Sequence, residues 1–179
     1  MRAFLTSIGE KTTEICKWQL ERFGFEVVLL DGVEPWIDKY TRFLNEARED
    51  CIRIDADVIP NKHIKIAQDK EVTKDYYMIN FRSYDIYKND LGATSPIYYS
   101  KRGLEVLRGE IDNLNPYRPE TSAWRRDSMI EHTKTIEVIT GIHGLYQKPE
   151  DVERHKKTKE QRRQMAHYDF AFIDKLMEL

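Results

Sequence analysis

The sequence predicts an α/β fold in which a doubly wound, mostly parallel sheet is flanked by helices. Apolar runs at 3–8, 25–30 and 51–59 have the length of strands and alternate with two longer segments, 10–23 and 35–47. In those two segments the apolar residues recur at helical spacing. Strands that alternate with helices in this way are typical of parallel sheets built from right-handed crossovers.

The first half of the chain carries the clearest element signals. Thr6 and Ser7 end the first strand, and Gly24 is placed as the C-cap of the first helix. The second strand, 25–30, is nearly all apolar, which predicts burial on both of its faces. Pro35 suits the first turn of the second helix, which carries an apolar stripe.

The second half of the chain has a looser pattern. It predicts further strands at 76–87, 96–99 and 136–142, with short helices at 62–70, 102–107 and 122–132. From residue 150 onward charge dominates, and two C-terminal helices are predicted there. We therefore divide the chain into a catalytic domain, 1–149, and a charged helical tail, 150–179, that packs on it.

Composition excludes several classes of protein. The 179 residues fit one domain with a substantial core, and the formal net charge of −2 gives no general argument for nucleic-acid binding. No apolar run approaches the ~18 residues of a transmembrane segment, and the polar N-terminal stretch does not resemble a signal peptide. Cys16 and Cys51 lie in apolar contexts, which favours free thiols and a cytoplasmic location. The oligomeric state is not indicated.

The strongest functional signal is a pair of carboxylates within the third run, 51–59, where the predicted strand ends. Asp55 and Asp57 are one residue apart, so in an extended chain they share a face at roughly 7 Å spacing. Such a pair can hold Mg²⁺ or Mn²⁺ together with bound phosphates. Ligands in open α/β sheets bind at the carboxyl ends of the strands, where Thr6-Ser7 and Asp31 also end predicted strands.

The stretch Arg53-Ile54-Asp55-Ala56-Asp57 followed by Val58-Ile59-Pro60 resembles the Asp-x-Asp motif of GT-A-fold glycosyltransferases. This resemblance implies a Rossmann-like, single-domain GT-A-like fold. It also implies the transfer of a sugar from a nucleoside-diphosphate sugar to an acceptor hydroxyl. The implied donor is a UDP-sugar first and a GDP-sugar second, the implied cofactor is Mn²⁺ or Mg²⁺, and the acceptor is an unknown glycan, protein or lipid.

Further segments are similar to the glycogenin-like, metal-dependent branch of that superfamily. Lys39 precedes the motif as a helix lysine near the sugar nucleotide does in that branch. The segment 93–100 resembles the strand that faces donor and acceptor, although Pro96 stands in place of a glycine. The segment 139–149 resembles the late strand that supplies a histidine and a Lys-Pro pair. There Gly144 follows the histidine directly, and Glu150 replaces an aromatic residue.

The resemblance assigns roles residue by residue. His143 would complete a metal site with Asp55 and Asp57, of which Asp57 is the main ligand and Asp55 binds metal or the donor sugar and ribose. Lys148 would clamp the diphosphate, while Thr6, Ser7, Asp31 and Lys39 would contact the nucleotide. If the enzyme inverts the anomeric centre it needs a carboxylate base, for which Glu120 is the candidate. A retaining enzyme can dispense with that base, so the stereochemical outcome stays open.

Alternatives remain open for both the residues and the activity. Lys39 can be a solvated helix lysine, His143 a buried structural histidine, and Glu120 an acid favoured by the helix dipole. A sugar-phosphate nucleotidyltransferase would also use a metal and an α/β sheet. However, it usually carries an early glycine-rich phosphate loop, and residues 5–14 contain a single glycine. A catalytically silent nucleotide-sugar-binding or scaffold domain is the third possibility.

Overall fold

The computed structural model of the protein describes residues 1–86, 89–93, 95–116 and 119–145. The predicted C-terminal helices and the domain boundary after residue 149 lie outside the described residues. The strands are β1 (Arg2–Thr6), β2 (Glu26–Leu30), β3 (Cys51–Asp55), β4 (Val58–Pro60), β5 (Met78–Asp85), β6 (Asp90–Ala93), β7 (Ile97–Tyr99) and β8 (Thr133–His143).

All of these strands belong to one mixed sheet. Its order is β2-β1-β3-β7-β5-β8-β4, and β6 pairs with β5 outside this path. β1 pairs in parallel with β2 and β3, and β5 pairs in parallel with β8, whereas β7, β6 and β4 are antiparallel to their neighbours. Most of the strands therefore run in one direction, and the predicted fold class is confirmed.

Helices cover both faces of the sheet. They are α1 (Thr13–Arg22), α2 (Trp36–Glu46), α3 (Lys70–Thr73), α4 (Lys101–Gly109), α5 (Pro119–Ala123) and α6 (Asp127–Ile130), with 3-10 turns at Lys62–Gln68 and Ile111–Asn113. One core, around Phe4, Phe43 and Tyr99, lies under α2, α4, α5 and α6. The other, around Leu5 and Ile54, lies under α1 and the first 3-10 turn. In the part of the chain described here, no helix is long and apolar enough to cross a bilayer.

Two predicted elements differ from the structure. β2 lies at one edge of the sheet and leaves Leu29 39% exposed, so the prediction that this strand is buried on both faces is wrong. The apolar sequence of β2 does not show whether this strand lies in the middle of the sheet or at its edge. Among the described strands, only β1 pairs with β2. The helix predicted over 122–132 is divided into α5 and α6, because the backbone is extended at Arg126.

The connection from β3 to β4 forces the sheet to curl. Only Ala56 and Asp57 separate the two strands, yet β3 is third in the sheet and β4 is last. The three Cα–Cα steps from Asp55 to Val58 span at most about 11 Å, so the far edge of the sheet must return to the end of β3. Register shifts in the β5–β8 pairing, around Arg82, mark irregularities of the kind that bend strands. The curl brings the end of β8 to the end of β3.

The α4 helix offers a test of packing against the sheet. A Cβ at Gly103 would overlap the Tyr77 carbonyl oxygen and lie 2.9 Å from its carbonyl carbon, whereas a Cβ at Gly109 meets nothing within 4 Å. We expect Gly103→Ala to lower the free energy of unfolding by about 1–3 kcal/mol through overpacking.

The matched control is Gly109→Ala in the same helix, which should be neutral or stabilise by up to about 1 kcal/mol. Chemical denaturation of both variants measures the difference. Equal stabilities would contradict the close approach of α4 to the chain at Tyr77.

Candidate functional site

The carboxyl ends of three neighbouring strands lie side by side at one edge of the sheet. Thr6, the last residue of β1, is in register with Leu30 of β2 and with Asp55 of β3. The Thr6 hydroxyl donates to Asp55 Oδ1 at 2.7 Å. Asp31 follows β2 and is exposed. These predicted nucleotide-binding positions therefore share one edge.

Asp55 is held by a buried arginine on its own strand. Arg53 is 2% exposed, and its Nη1 lies 2.7 Å from Asp55 Oδ1. Burial by itself would lower the pKa of the Arg53 guanidinium, but the Asp55 carboxylate raises that pKa above its usual value. Oδ1 of Asp55 thus contacts both Arg53 and Thr6, and the positive charge of Arg53 balances the negative charge of this carboxylate.

Asp57 meets a histidine rather than an arginine. Asp57 Oδ2 lies 3.1 Å from His143 Nε2, and the other ring nitrogen, Nδ1, lies 3.5 Å from Asp85 Oδ2. Burial of His143 alone would lower its pKa, but the charge and hydrogen bond of Asp57, with a further contribution from Asp85, raise it to about 10. Near neutral pH the ring is an imidazolium between two carboxylates.

The donor set of this pair fits a divalent metal ion. Neighbouring ligands of an octahedral ion with bonds of about 2.1 Å lie about 3 Å apart, and the Asp57–His143 distance is 3.1 Å. Among the described residues, no group of three or more His, Cys, Asp or Glu side chains forms a metal site. Asp57 and His143 would therefore supply two ligands, and water and substrate phosphate would supply the others, as is common for Mg²⁺ sites.

Lys39 lies inside the protein, so the interpretation as a solvated helix lysine is wrong. It is 1% exposed, and its ammonium donates to the carbonyls of Ser7 at 2.6 Å and Gly32 at 2.5 Å. Burial lowers the pKa of Lys39. The lysine thus ties the segments that follow β1 and β2 to each other, and two of its three N–H donors are occupied.

The turn between β1 and α1 is stabilised by hydrogen bonds to the carboxylate of Glu10, which belongs to the same turn. Glu10 Oε2 accepts hydrogen bonds from the Ser7 hydroxyl at 3.0 Å and from the Ile8 amide at 2.7 Å. The Ser7 hydroxyl also contacts Thr13 Oγ1 at 2.9 Å. Gly9, at φ 90°, supplies the left-handed backbone that this tight turn requires.

Glu120, the candidate base, is linked to Asp55 through two side chains. Its Oε2 accepts a hydrogen bond from Trp36 Nε1 at 2.6 Å. The Arg53 guanidinium lies 5.0 Å from the centre of the Trp36 ring, and the same guanidinium binds Asp55. Glu120 lies in the first turn of α5, as expected for an acid that begins a helix.

The structure divides the predicted metal ligands into two groups. It brings Asp57 to His143, while Asp55 is engaged with Arg53 and Thr6. Lys148 lies outside the described residues. Sequence reasoning missed Asp85, whose only signal was its position at the end of an alternating strand. It also missed the role of Arg53, two residues before Asp55 and hence on the same strand face.

The chain was compared with family models, with curated proteins and with solved structures. No family model matches the chain, and no curated protein matches it. Among solved structures, it is similar to a glycosyltransferase involved in the glycosylation of the major capsid of PBCV-1, with a TM-score of 0.57 and 12% identity over 88% of this chain and 98% of that one.

Two further structures are similar at the same level. A 4-diphosphocytidyl-2C-methyl-D-erythritol synthase from Anaerococcus prevotii has a TM-score of 0.58 and 9% identity, covering 88% of this chain and 96% of that one. The manganese complex of Rv0371c from Mycobacterium tuberculosis has a TM-score of 0.55 and 10% identity, covering 88% and 97%. At such low identity these likenesses show a shared fold, and the fold is GT-A-like.

The raised pKa of His143 predicts a pH-dependent contribution to stability. Below about pH 6.5 the histidine is charged in both folded and unfolded chains, so its ion pairs stabilise the fold in full. As pH rises toward 10, the folded-state value, this contribution disappears. The free energy of unfolding of the wild type minus that of His143→Gln should therefore fall by a few kcal/mol between about pH 6 and pH 10.

Denaturant unfolding in EDTA across this pH range measures the difference. Asp57→Asn serves as the companion variant, because it removes the carboxylate that raises the pKa and should flatten the same curve. A constant difference between wild type and His143→Gln would contradict the ion-paired histidine.

Proposed function

We propose that this chain is a metal-dependent glycosyltransferase that moves a sugar from a nucleoside-diphosphate sugar to an acceptor hydroxyl. The observation that carries the proposal is the meeting of Asp57 and His143 at 3.1 Å. Asp57 lies in the connection between β3 and β4, and His143 ends β8, beside the nucleotide-binding positions expected for this fold. Their carboxylate oxygen and imidazole nitrogen are ligands that Mn²⁺ accepts.

We assign a role in this reaction to each candidate residue at the carboxyl edge of the sheet. Asp57 and His143 would hold the ion, which offsets the charge that develops on the departing diphosphate. Asp55, fixed by Arg53, would present its second oxygen, Oδ2, to a hydroxyl of the donor ribose or sugar. Thr6, Ser7 and Asp31 line the path of the nucleoside, and Lys148 is the proposed diphosphate clamp.

Glu120 is the proposed base if the reaction inverts the anomeric centre. Glu120 Oε2 accepts a hydrogen bond from the Trp36 indole. The other carboxylate oxygen, Oε1, would take the proton of the acceptor hydroxyl while the hydroxyl oxygen attacks the sugar carbon. The bond from sugar to diphosphate breaks in the same step, through an oxocarbenium-like state. If the reaction retains configuration, the enzyme can dispense with this base.

The β1–α1 turn favours glycosyl transfer over nucleotidyl transfer. A nucleotidyltransferase would present backbone amides of this turn to a nucleoside triphosphate. Here the Ile8 amide and the Ser7 hydroxyl already donate to Glu10 Oε2. A triphosphate would have to displace this carboxylate and would be repelled by it. A diphosphate that is held at Asp57 and His143 would not need to displace the Glu10 carboxylate.

Nucleotide binding should require a divalent ion. The carboxylates of Asp55, Asp57 and Asp85 would repel a diphosphate unless a cation bridges it to the protein. We expect calorimetry to give an affinity for UDP at least about tenfold higher with Mn²⁺ than with EDTA, with GDP second. Equal affinity in EDTA would disprove the metal bridge.

The same protein should be assayed for both reactions. Incubation with UDP-sugars, Mn²⁺ and a panel of acceptors should release UDP. Release of inorganic diphosphate from UTP or CTP with a sugar phosphate would support the nucleotidyltransferase alternative instead. If neither product forms while UDP binds, the scaffold alternative holds.

Asp57→Asn should lower Mn²⁺-dependent UDP affinity at least about tenfold, because one of the two described ligands loses its charge. Since the Asp57–His143 ion pair also weakens, we expect unfolding free energy to fall by about 1–3 kcal/mol. The matched control is Asp38→Asn, which removes an exposed carboxylate from α2. Calorimetry and denaturation compare the two variants, and equal UDP affinities would remove Asp57 from the site.

A further inference from the structure

We propose that Asp85 is a positioning residue for His143, which it holds through Nδ1 so that Nε2 faces Asp57 and the divalent ion. This inference rests on the proposed function, because it assigns a second carboxylate to the same metal site. The role differs from ligation, since Asp85 would act on the ion only through the imidazole ring.

The sheet places Asp85 beside His143. Asp85 is the last residue of β5, and in the parallel pairing of β5 with β8 it is in register with His143, the last residue of β8. The Ile86 amide donates to the His143 carbonyl at 3.3 Å, and the Gly144 amide donates to the Asp57 carbonyl at 2.9 Å. The backbones on both sides of the ring are therefore held by hydrogen bonds.

The two carboxylates lie beside different nitrogens of the His143 ring. Asp85 Oδ2 lies 3.5 Å from Nδ1, and Asp57 Oδ2 lies 3.1 Å from Nε2. Asp85 is 1% exposed, whereas the Asp57 side chain is 22% exposed. The ring thus has one buried carboxylate partner and one partner that opens toward the edge where a ligand would bind.

This arrangement suits a metal-binding histidine. A neutral imidazole carries its proton on one nitrogen and a lone pair on the other. A carboxylate beside Nδ1 keeps the proton there, so the lone pair is on Nε2. Burying a carboxylate is costly unless it is partnered, and the His143 ring, with Nδ1 at 3.5 Å from Oδ2, is an ion-pair partner for Asp85.

The first experiment is a calorimetric titration of Mn²⁺ into wild type, Asp85→Asn and Asp90→Asn. Asp90 is in register with Asp85 on the neighbouring strand β6, is exposed, and carries the same charge. We expect Asp85→Asn to weaken Mn²⁺ binding about 10- to 100-fold, and Asp90→Asn to leave it close to wild type. Equal affinity of wild type and Asp85→Asn would overturn the inference.

A double-mutant cycle separates positioning from ligation. In a His143→Ala background, Asp85→Asn should cause little further loss of Mn²⁺ affinity, because the residue it acts through is gone. A full additional loss would mean that Asp85 binds the ion directly, and would overturn the positioning role. A structural role alone would change the melting temperature without this dependence on His143.

Spectroscopy distinguishes failure of this inference from failure of the proposed function. Electron spin-echo modulation of bound Mn²⁺ should show a nitrogen ligand in the wild type and none in His143→Ala. If the wild type binds no Mn²⁺ or shows no nitrogen ligand, the metal site and this inference both fail. If the nitrogen is present and Asp85→Asn binds Mn²⁺ as tightly as wild type, only the inference fails.

A measurement on the wild type covers the case in which Asp85→Asn does not fold. With Zn²⁺ as a diamagnetic probe, nitrogen-15 spectra of the His143 ring should show a protonated Nδ1 and a metal-bound Nε2. The opposite tautomer, with metal on Nδ1 and the proton on Nε2, would overturn the role of Asp85.

Discussion

The two-residue connection between β3 and β4 is the constraint on which the candidate site depends. Ala56 and Asp57 must carry the chain from the middle of the sheet to its far edge, which is possible only because the sheet curls. The connection is held on several sides, since the Ala56 amide donates to the Thr6 carbonyl at 2.9 Å and the Thr12 hydroxyl donates to the Ala56 carbonyl at 2.6 Å. Asp57 therefore projects from a turn that hydrogen bonds hold in place, and the pairing of Val58 with His143 places the end of β8 beside it.

The local signals of the sequence accounted for most of the fold. The elements from β1 to β3 follow from apolar periodicity and from Gly24 and Pro35, because these signals lie within or next to each element. β4 and the register shifts of β5 have no such signature, since a three-residue strand and a bulge depend on partners far along the chain. The edge position of β2 is likewise a property of the whole sheet.

The site was predictable only in part, for a related reason. Asp55 and Asp57 stand out because they end an apolar strand, but the partner of Asp57 lies 86 residues away, and only the family resemblance pointed to His143. Periodicity treats charged residues as exposed, so it gives no signal that Arg53 and Lys39 are buried. Both are buried because each ends on oxygen atoms, Arg53 on Asp55 and Lys39 on the carbonyls of Ser7 and Gly32. Such pairing makes burial of a charge tolerable.

The charges at this edge bear on what it can bind. Arg53 is matched by Asp55, and His143 lies between Asp57 and Asp85. Each of these two cations is therefore already paired with a carboxylate, so neither carries an unpaired positive charge that could bind a diphosphate. A diphosphate brings further negative charge to a site where the three carboxylates of Asp55, Asp57 and Asp85 already outnumber the two cations. The Coulomb cost at short range is several kcal/mol at an effective dielectric of about 20. A divalent cation that enters with the nucleotide removes this cost. If His143 ligates this ion as proposed, the ion would displace a proton from the ring, and metal, nucleotide and proton binding would be linked at one histidine.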